Sequence, residues 1–153
     1  MAFRTPRLVR RSRHGVELHL SSDERRLVST LIGEMRDLLG TDDPSLRRLF
    51  PTAYHEDPDR DAEYQILARN ELLDRRLHAL DAIEASLDAK SLTPDQVSAW
   101  MQGVNQIRLV LGTRLEMTED EDEFDPDAPD APARAVYAYL GYLLDQFVDA
   151  AGV

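Results

Sequence analysis

The sequence predicts a mainly α-helical protein, a single-domain bundle of five or six helices opened by an N-terminal β-hairpin. Apolar residues recur at helical spacing through most of the chain, capping boxes start helices at Ser21 and Thr93, and the first twenty residues instead alternate between apolar and polar. A chain of 153 residues needs only one ordinary core. We divide it into a hairpin at 1–20, a helical core at 21–117, an acidic flexible loop at 118–132 and a C-terminal helix at 133–150.

The alternation that predicts the hairpin lies just before the first helix. Val16, Leu18 and Leu20 share one face of a half-buried strand, with polar residues between them. We place the partner strand around Val9 and the turn at 12–15.

The first helix is defined by its two ends. Ser21 and Glu24 form a capping box, and Gly40 supplies a stop. The predicted core stripe is Leu27, Leu31, Met35, Leu38 and Leu39.

The middle of the chain leaves two alternatives. Asp43 and Pro44 open a short helix that ends near Phe50, and Pro58 opens another over about 59–68. Asn70 then caps a separate helix, or residues 59–88 form one bent helix. The apolar residues of that second stretch are Leu73, Leu77, Leu80, Ile83 and Leu87.

Two more helices complete the bundle. Thr93, Pro94 and Gln96 give the clearest start signal in the chain. The stripe that follows is Val97, Trp100, Met101, Val104, Ile107 and Leu111, and that of the last helix is Val136, Leu140, Leu143, Leu144 and Phe147.

Composition excludes several classes of protein. The chain has no Cys, so disulfide frameworks, thiolate metal sites and thiol switches are ruled out. Its longest apolar stretch, at 136–144, is far shorter than a membrane span, and we expect no signal peptide and a cytoplasmic location. Acids outnumber bases 29 to 18. Many of the acids fall in the 118–132 loop, which also holds three Pro and which we expect to be mobile.

We find no catalytic or cofactor-binding motif and expect neither an enzyme nor a cofactor. Asp57, Asp59 and Asp61 have the spacing of the first EF-hand ligands, but Ala68 stands where the bidentate Glu is required. His78 lies one turn from an acid, which indicates a surface ion pair more than a metal ligand. We therefore expect no metal site.

Direct DNA binding is not expected either. Five Arg lie in the first 14 residues, but the formal net charge is −11 and the other arginines are interleaved with acids. Such a protein is repelled by a polyanion.

Two groups of residues are candidates for functional contacts. Tyr137, Tyr139 and Tyr142 lie beside the core stripe of the last helix, where they could line a partner surface or pack inside. Asn105 and Arg108 interrupt an apolar helix, and we expect Arg108 to be mostly buried and bonded to Glu34, to acids at 57–63 or to backbone carbonyls.

The segment 105–115 and the acids after Thr118 resemble the signature of the actinobacterial AosR family, named for an actinomycete oxidative-stress regulator. The run 49–54, Trp100, the strand at 15–20 and the segment 139–143 match as well, so the resemblance covers nearly the whole chain. The signature residues that we single out as a polar network are Asn105, Arg108, Gly112, Thr113 and Arg114.

This resemblance implies a small helical transcriptional regulator that acts through protein contacts, with a polymerase or sigma-factor component as partner. The family's sensing chemistry depends on Cys pairs, so thiol sensing is not possible in this chain. The alternative is a helical adaptor or assembly partner in Clp-type protein turnover, which the family's gene neighbourhood suggests. A homodimer is compatible with either role.

Overall fold

The computed structural model describes residues 7–13, 15–50, 58–118, 127 and 129–152. Four α-helices dominate this part of the chain: α1 (Ser22–Leu39), α2 (Pro58–Ala85), α3 (Pro94–Thr118) and α4 (Ala131–Ala151). A short 3-10 helix, Pro44–Leu46, follows α1. The predicted fold class, mainly α with an N-terminal hairpin, is confirmed.

The hairpin pairs β1 (Val9–Ser12) with β2 (Gly15–Leu18) in antiparallel register, Val9 opposite Leu18. Gly15 has φ 117°, a conformation that side chains with a Cβ rarely adopt, so it permits the tight turn. Sequence analysis missed a third strand, β3 (Ser91–Leu92), which pairs with β2 and places Val16 opposite Leu92.

Gln146 of α4 joins the sheet to the helices. Its Oε1 accepts hydrogen bonds from the backbone N–H groups of Leu8 and Val9, at 2.7 and 2.9 Å. This side chain is buried, and it satisfies two donors at the start of the edge strand that would otherwise be unpaired. The contact therefore fixes the hairpin on α4.

Both capping boxes are confirmed. The Ser21 hydroxyl accepts from the N–H of Glu24 at 3.1 Å, and the Glu24 carboxylate accepts from the N–H of Ser21 at 3.0 Å. Thr93 and Gln96 exchange the same pair of bonds at the start of α3. Each box satisfies N–H groups that the first helical turn leaves unpaired.

The two alternatives for the middle of the chain are resolved in favour of one helix. Residues 58–85 form the continuous α2, and Asn70 lies inside it. The segment opened by Asp43 and Pro44 is shorter than predicted, because it is helical only to Leu46.

The core lies between the sheet, α1 and the α2–α3–α4 layer, with α3 packed against both α2 and α4. Trp100 is fully buried in it. Its ring stacks on Phe147 at 5.3 Å between centroids, and its indole N–H donates to Ser86 Oγ at 2.8 Å. On α1 the predicted stripe is displaced, since Val28 and Ile32 are buried with Met35 and Leu39, whereas Leu31 and Leu38 are only partly buried.

Most of the predicted flexible loop, 118–132, lies outside the described residues, so its expected mobility stays a prediction. Its last residues are ordered as the start of α4, which begins at Ala131. In the described part of the chain, no helix is both long and apolar enough to cross a membrane.

Candidate functional site

The segment that carries the family resemblance lies on the second half of α3, and part of it packs against α4. Gly112 is buried beneath the ring of Tyr137, and a Cβ at this position would lie 3.0 Å from Tyr137 Cε2. Glycine therefore allows the ring to approach the α3 backbone. This contact explains why a glycine stands inside an otherwise regular helix.

The expected bond of Arg108 to Asp57, Asp59 or Asp61 lies outside the described residues and stays a prediction. Arg108 is half-buried, and its guanidinium carbon lies 5.0 Å from the centroid of the Tyr137 ring. Its Nε is buried, with no hydrogen-bond partner among the described residues. Tyr137 is therefore held between Arg108 and Gly112, and the Arg108 guanidinium makes a cation–π contact with its ring.

Arg114 and Thr113 have different surroundings from Arg108. Arg114 is exposed, and its Nε donates to Ser45 Oγ at 3.3 Å while a terminal nitrogen lies 3.5 Å from Asp43 Oδ2. Hydrogen bonds from Ser45, with Arg114 as a further cause, lower the pKa of the Asp43 carboxyl. Buried Thr113 donates to the carbonyl of Leu109 within the same helix, at 2.8 Å.

The described contacts of four of the signature residues go to different parts of the fold, and a polar network that joins all five stays a prediction. Arg108 and Gly112 contact α4, Arg114 contacts the 3-10 helix, and Thr113 bonds its own helix. Asn105 is half-buried one turn before Arg108, and no described contact joins the two side chains.

Two of the three tyrosines of α4 contact different helices. Tyr137 packs on α3, and the Tyr139 hydroxyl donates to Glu24 Oε2 at 2.8 Å on the first turn of α1. Burial raises the pKa of the Tyr139 phenol, and the bond to Glu24 raises it further. Tyr142 is exposed, whereas Tyr137 and Tyr139 are half-buried, and a partner contact stays a prediction for all three.

A groove between α1 and α3 was not predicted from the sequence. It has a volume of about 340 Å³ and leads to the signature residue Arg114. Most of its lining residues are apolar: Leu31, Met35, Leu38, Ile107, Val110 and Leu111, with Glu34, Asp37, Thr41 and Arg114 as the polar ones.

The rim of this groove is acidic on the α1 side. Glu34 and Asp37 stand there and are exposed, whereas the cation at the other end, Arg114, lies against Asp43. The sequence feature that could have indicated the groove is the number of apolar residues on α1, which exceeds what one buried stripe requires. Leu31 and Leu38 are the apolar residues outside that stripe.

The residues considered for metal binding are largely outside the description. Asp57 is not among the described residues, and neither are the side chains of Asp59 and Asp61. His78 is exposed on α2. Within the described ranges, no group of three or more His, Asp or Glu is placed to hold a metal ion.

Comparison with known proteins gives one match. No curated protein and no solved structure matches the chain. A family model, described as a domain of unknown function, DUF2017, matches residues 3–151. Because this match spans nearly the whole chain, the protein belongs to the DUF2017 family.

Proposed function

We propose that this protein is a cytoplasmic, non-enzymatic regulator that acts by binding another protein in the groove between α1 and α3. The observation that carries the proposal is the apolar lining of that groove, where Leu31, Leu38 and Leu111 remain partly accessible although the core lies directly beneath them. Apolar side chains that stay accessible in a concave surface are typical of a protein contact site.

The shape and charge of the groove favour one kind of partner. Two antiparallel or crossing helices with leucines along their edges accept the apolar face of a third helix, with anchors spaced three or four residues apart. Glu34 and Asp37 on the rim favour a partner with Lys or Arg beside its apolar face. We therefore propose an amphipathic, basic helix as the bound element.

The resemblance to the AosR family supports a regulatory role in transcription, with a polymerase or sigma-factor component as the source of that helix. The chain has no Cys, so any regulation passes through something other than thiol oxidation. Binding of a partner helix requires no reactive group, which is consistent with such a role.

Site-specific photo-crosslinking in the native cell tests this proposal. A photoreactive amino acid replaces Leu38 in the groove, and the matched control carries it at Leu67, an exposed leucine of α2 that does not line the groove. We expect a transcription component to be captured at Leu38 and not at Leu67. A Clp component captured there would favour the adaptor role instead, and equal capture at both positions would contradict the groove as the contact site.

A charge-reversal variant of the rim gives a second readout. Replacing Glu34 and Asp37 by Lys leaves the apolar lining intact and should weaken capture of a basic helix by about tenfold or more. Both residues are exposed, so the fold should be retained. Unchanged capture would show that the partner is not basic.

A further inference from the structure

A pocket that the proposed function does not use lies where the sheet, the start of α3 and the end of α4 meet. It has a volume of about 250 Å³ and shares no lining residue with the groove between α1 and α3. Arg11 is the one charged residue among the described residues that line it. Its walls are apolar side chains from all three elements: Val16, Leu92, Val97, Met101, Ala150 and Ala151.

Small residues on the last turn of α4 leave this space open. Ala150 and Ala151 line the pocket together with Met101 of α3, and longer side chains in their place would fill it. Met101 and Ala151 are half-buried, and Pro94 beside them is exposed. A molecule in the pocket can therefore touch apolar surface that is still in contact with water, and covering that surface favours binding.

The guanidinium of Arg11 stands at the end of α4. A Cβ at Gly152 would lie 3.1 Å from Arg11 Nη1, so the glycine lets the cation approach the last turn of the helix. The partial negative charge at a helix C-terminus stabilises a cation in this position. Arg11 is exposed and has no hydrogen bond or ion pair with any described residue, whereas Arg7 of the same segment contacts Asp149. The Arg11 charge is therefore accessible to a ligand.

An apolar pocket with one cation at its edge favours a ligand with an apolar body and one negative charge. A small anion would leave the apolar walls uncovered, and an uncharged hydrocarbon would gain nothing from Arg11. A carboxylate suits a guanidinium because its two oxygens accept two parallel hydrogen bonds. We propose that this pocket binds a short-chain apolar carboxylate, with its hydrocarbon part against Met101 and Ala151 and its carboxylate on Arg11.

The volume of the pocket sets the length of this ligand. At about 30 Å³ per water molecule, the pocket has room for about eight waters, which is about the size of a six-carbon acid such as hexanoate. The C-terminal residue of a peptide has the same chemistry when its side chain is apolar. N-acetylleucine represents that second source, and hexanoate represents the free acid.

Methyl NMR of the whole chain, labelled at methionine, tests the proposal, because Met101 lines this pocket whereas Met35 lines the groove between α1 and α3. In a titration with hexanoate at pH 7 and constant ionic strength, the Met101 signal should shift saturably with a Kd of about 1 mM or lower. The Met35 signal should not shift. If N-acetylleucine binds more tightly than hexanoate, the source of the carboxylate is a peptide, and if it binds more weakly, the source is a free acid.

Related compounds separate the two parts of the ligand. Acetate should bind more weakly than hexanoate by about thirtyfold or more, because it buries much less apolar surface. Hexylamine has the same chain length but is a cation at this pH. It should bind more weakly by about fivefold or more, because it is repelled by Arg11.

Variants locate the two contacts. Arg11→Gln should weaken hexanoate binding by about threefold or more and leave the binding of uncharged 1-hexanol unchanged, a difference that a purely structural role of Arg11 would not produce. Arg13→Gln is the matched control, since Arg13 is an exposed arginine of the same hairpin that does not line the pocket. Ala151→Leu fills the space and should weaken both ligands by about tenfold or more. Both arginines are exposed, so their comparison stands even if Ala151→Leu does not fold.

Three results would overturn the proposal. The first is a Met101 signal that does not shift saturably up to about 10 mM hexanoate, whether or not the Met35 signal moves. The second is hexylamine binding as tightly as hexanoate, which would show that the charge of Arg11 plays no part. The third is equal hexanoate affinity of Arg11→Gln and Arg13→Gln.

Discussion

Some buried side chains of this protein satisfy each other's polar atoms inside the core. Ser86 illustrates this, because its hydroxyl donates to the carbonyl of Ala82 at 2.8 Å while it accepts from the Trp100 indole. Both Ser86 and Trp100 are almost completely buried. One hydroxyl thus satisfies the only polar atom of the largest side chain in the core.

Replacing this hydroxyl should therefore be costly. Ser86→Ala leaves the Trp100 N–H buried without an acceptor, and we expect the free energy of unfolding to fall by about 1–3 kcal/mol. Urea denaturation followed by tryptophan fluorescence measures the change. Ser98→Ala, a substitution of the same kind at a less buried site on α3, is the control and should change stability much less. Equal effects of the two changes would contradict this role of Ser86.

Tyr139 gives a pH-dependent prediction at the same scale. Burial and Glu24 raise the pKa of its phenol above the unfolded value of about 10, so the folded state holds this proton more tightly. The resulting stability is fully present below pH 10 and is lost as the pH rises further, since the unfolded state then ionises first.

Tyr139→Phe should consequently show a shallower loss of stability above pH 10 than the parent protein. It should also lose about 1 kcal/mol at pH 7, because the hydrogen bond to Glu24 is removed. Denaturation at a series of pH values from 7 to 11 gives both numbers. Parallel curves for the two proteins would show that Tyr139 does not titrate differently on folding.

At the scale of the elements, sequence patterns predicted correctly those features that depend on residues close together in the sequence. The capping boxes at Ser21 and Thr93 and the hairpin alternation around Val16 each depend on residues within four positions, and each was predicted correctly. β3 has two residues, and it forms only because Leu92 meets Val16 across a long separation in sequence. No periodicity can reveal such a strand.

The partner of Arg108 was missed for the same reason. Its spacing on α3 predicted a mostly buried side chain, whereas Arg108 is half-buried and the ring beside it belongs to α4. The groove between α1 and α3 likewise arises where two helices meet. The sequence supplies the residues of this groove, whereas helix packing decides which of them face each other.

The contact between α3 and α4 can be tested at Gly112. In Gly112→Ala the added Cβ would lie 3.0 Å from Tyr137, so the ring or the helix must shift, and we expect a loss of about 1–3 kcal/mol. Gly33→Ala is the control on α1, where nothing lies within 4 Å, and it should stabilise by about 0.5–1 kcal/mol. Chemical denaturation measures the change in the free energy of unfolding for both variants. If both substitutions stabilise the protein, the Tyr137 ring moves aside without a loss of stability, which would contradict the prediction.

At the scale of the whole molecule, several of the described arginines form ion pairs with acids. Arg36 contacts Asp81 and Glu84 between α1 and α2, and Arg48 contacts Glu116 at the end of α3. Exposed pairs of this kind contribute little stability, but they remove positive charge that could attract a polyanion. Arg10, Arg11 and Arg13 lie close together on the hairpin and are exposed, whereas the exposed Arg26 and Arg75 lie on separate helices.

This distribution predicts that the isolated protein does not bind DNA usefully. Affinity for DNA comes from cations that displace counterions from phosphates, and three hairpin arginines on a protein of net charge −11 supply little of it. At physiological salt, charges more than about 8 Å apart are largely screened, which weakens both the attraction of DNA to the hairpin arginines and its repulsion by the acidic residues. Screening does not create a surface that recognises a DNA sequence. Fluorescence anisotropy with labelled duplexes at physiological salt should show no sequence-specific binding at or below micromolar protein. The opposite result would be sequence-specific binding that is lost when Arg10, Arg11 and Arg13 are changed to Ala but is kept in the control Arg26→Ala. That result would show that the hairpin contacts DNA directly, and a protein partner would no longer be needed to explain an effect on transcription.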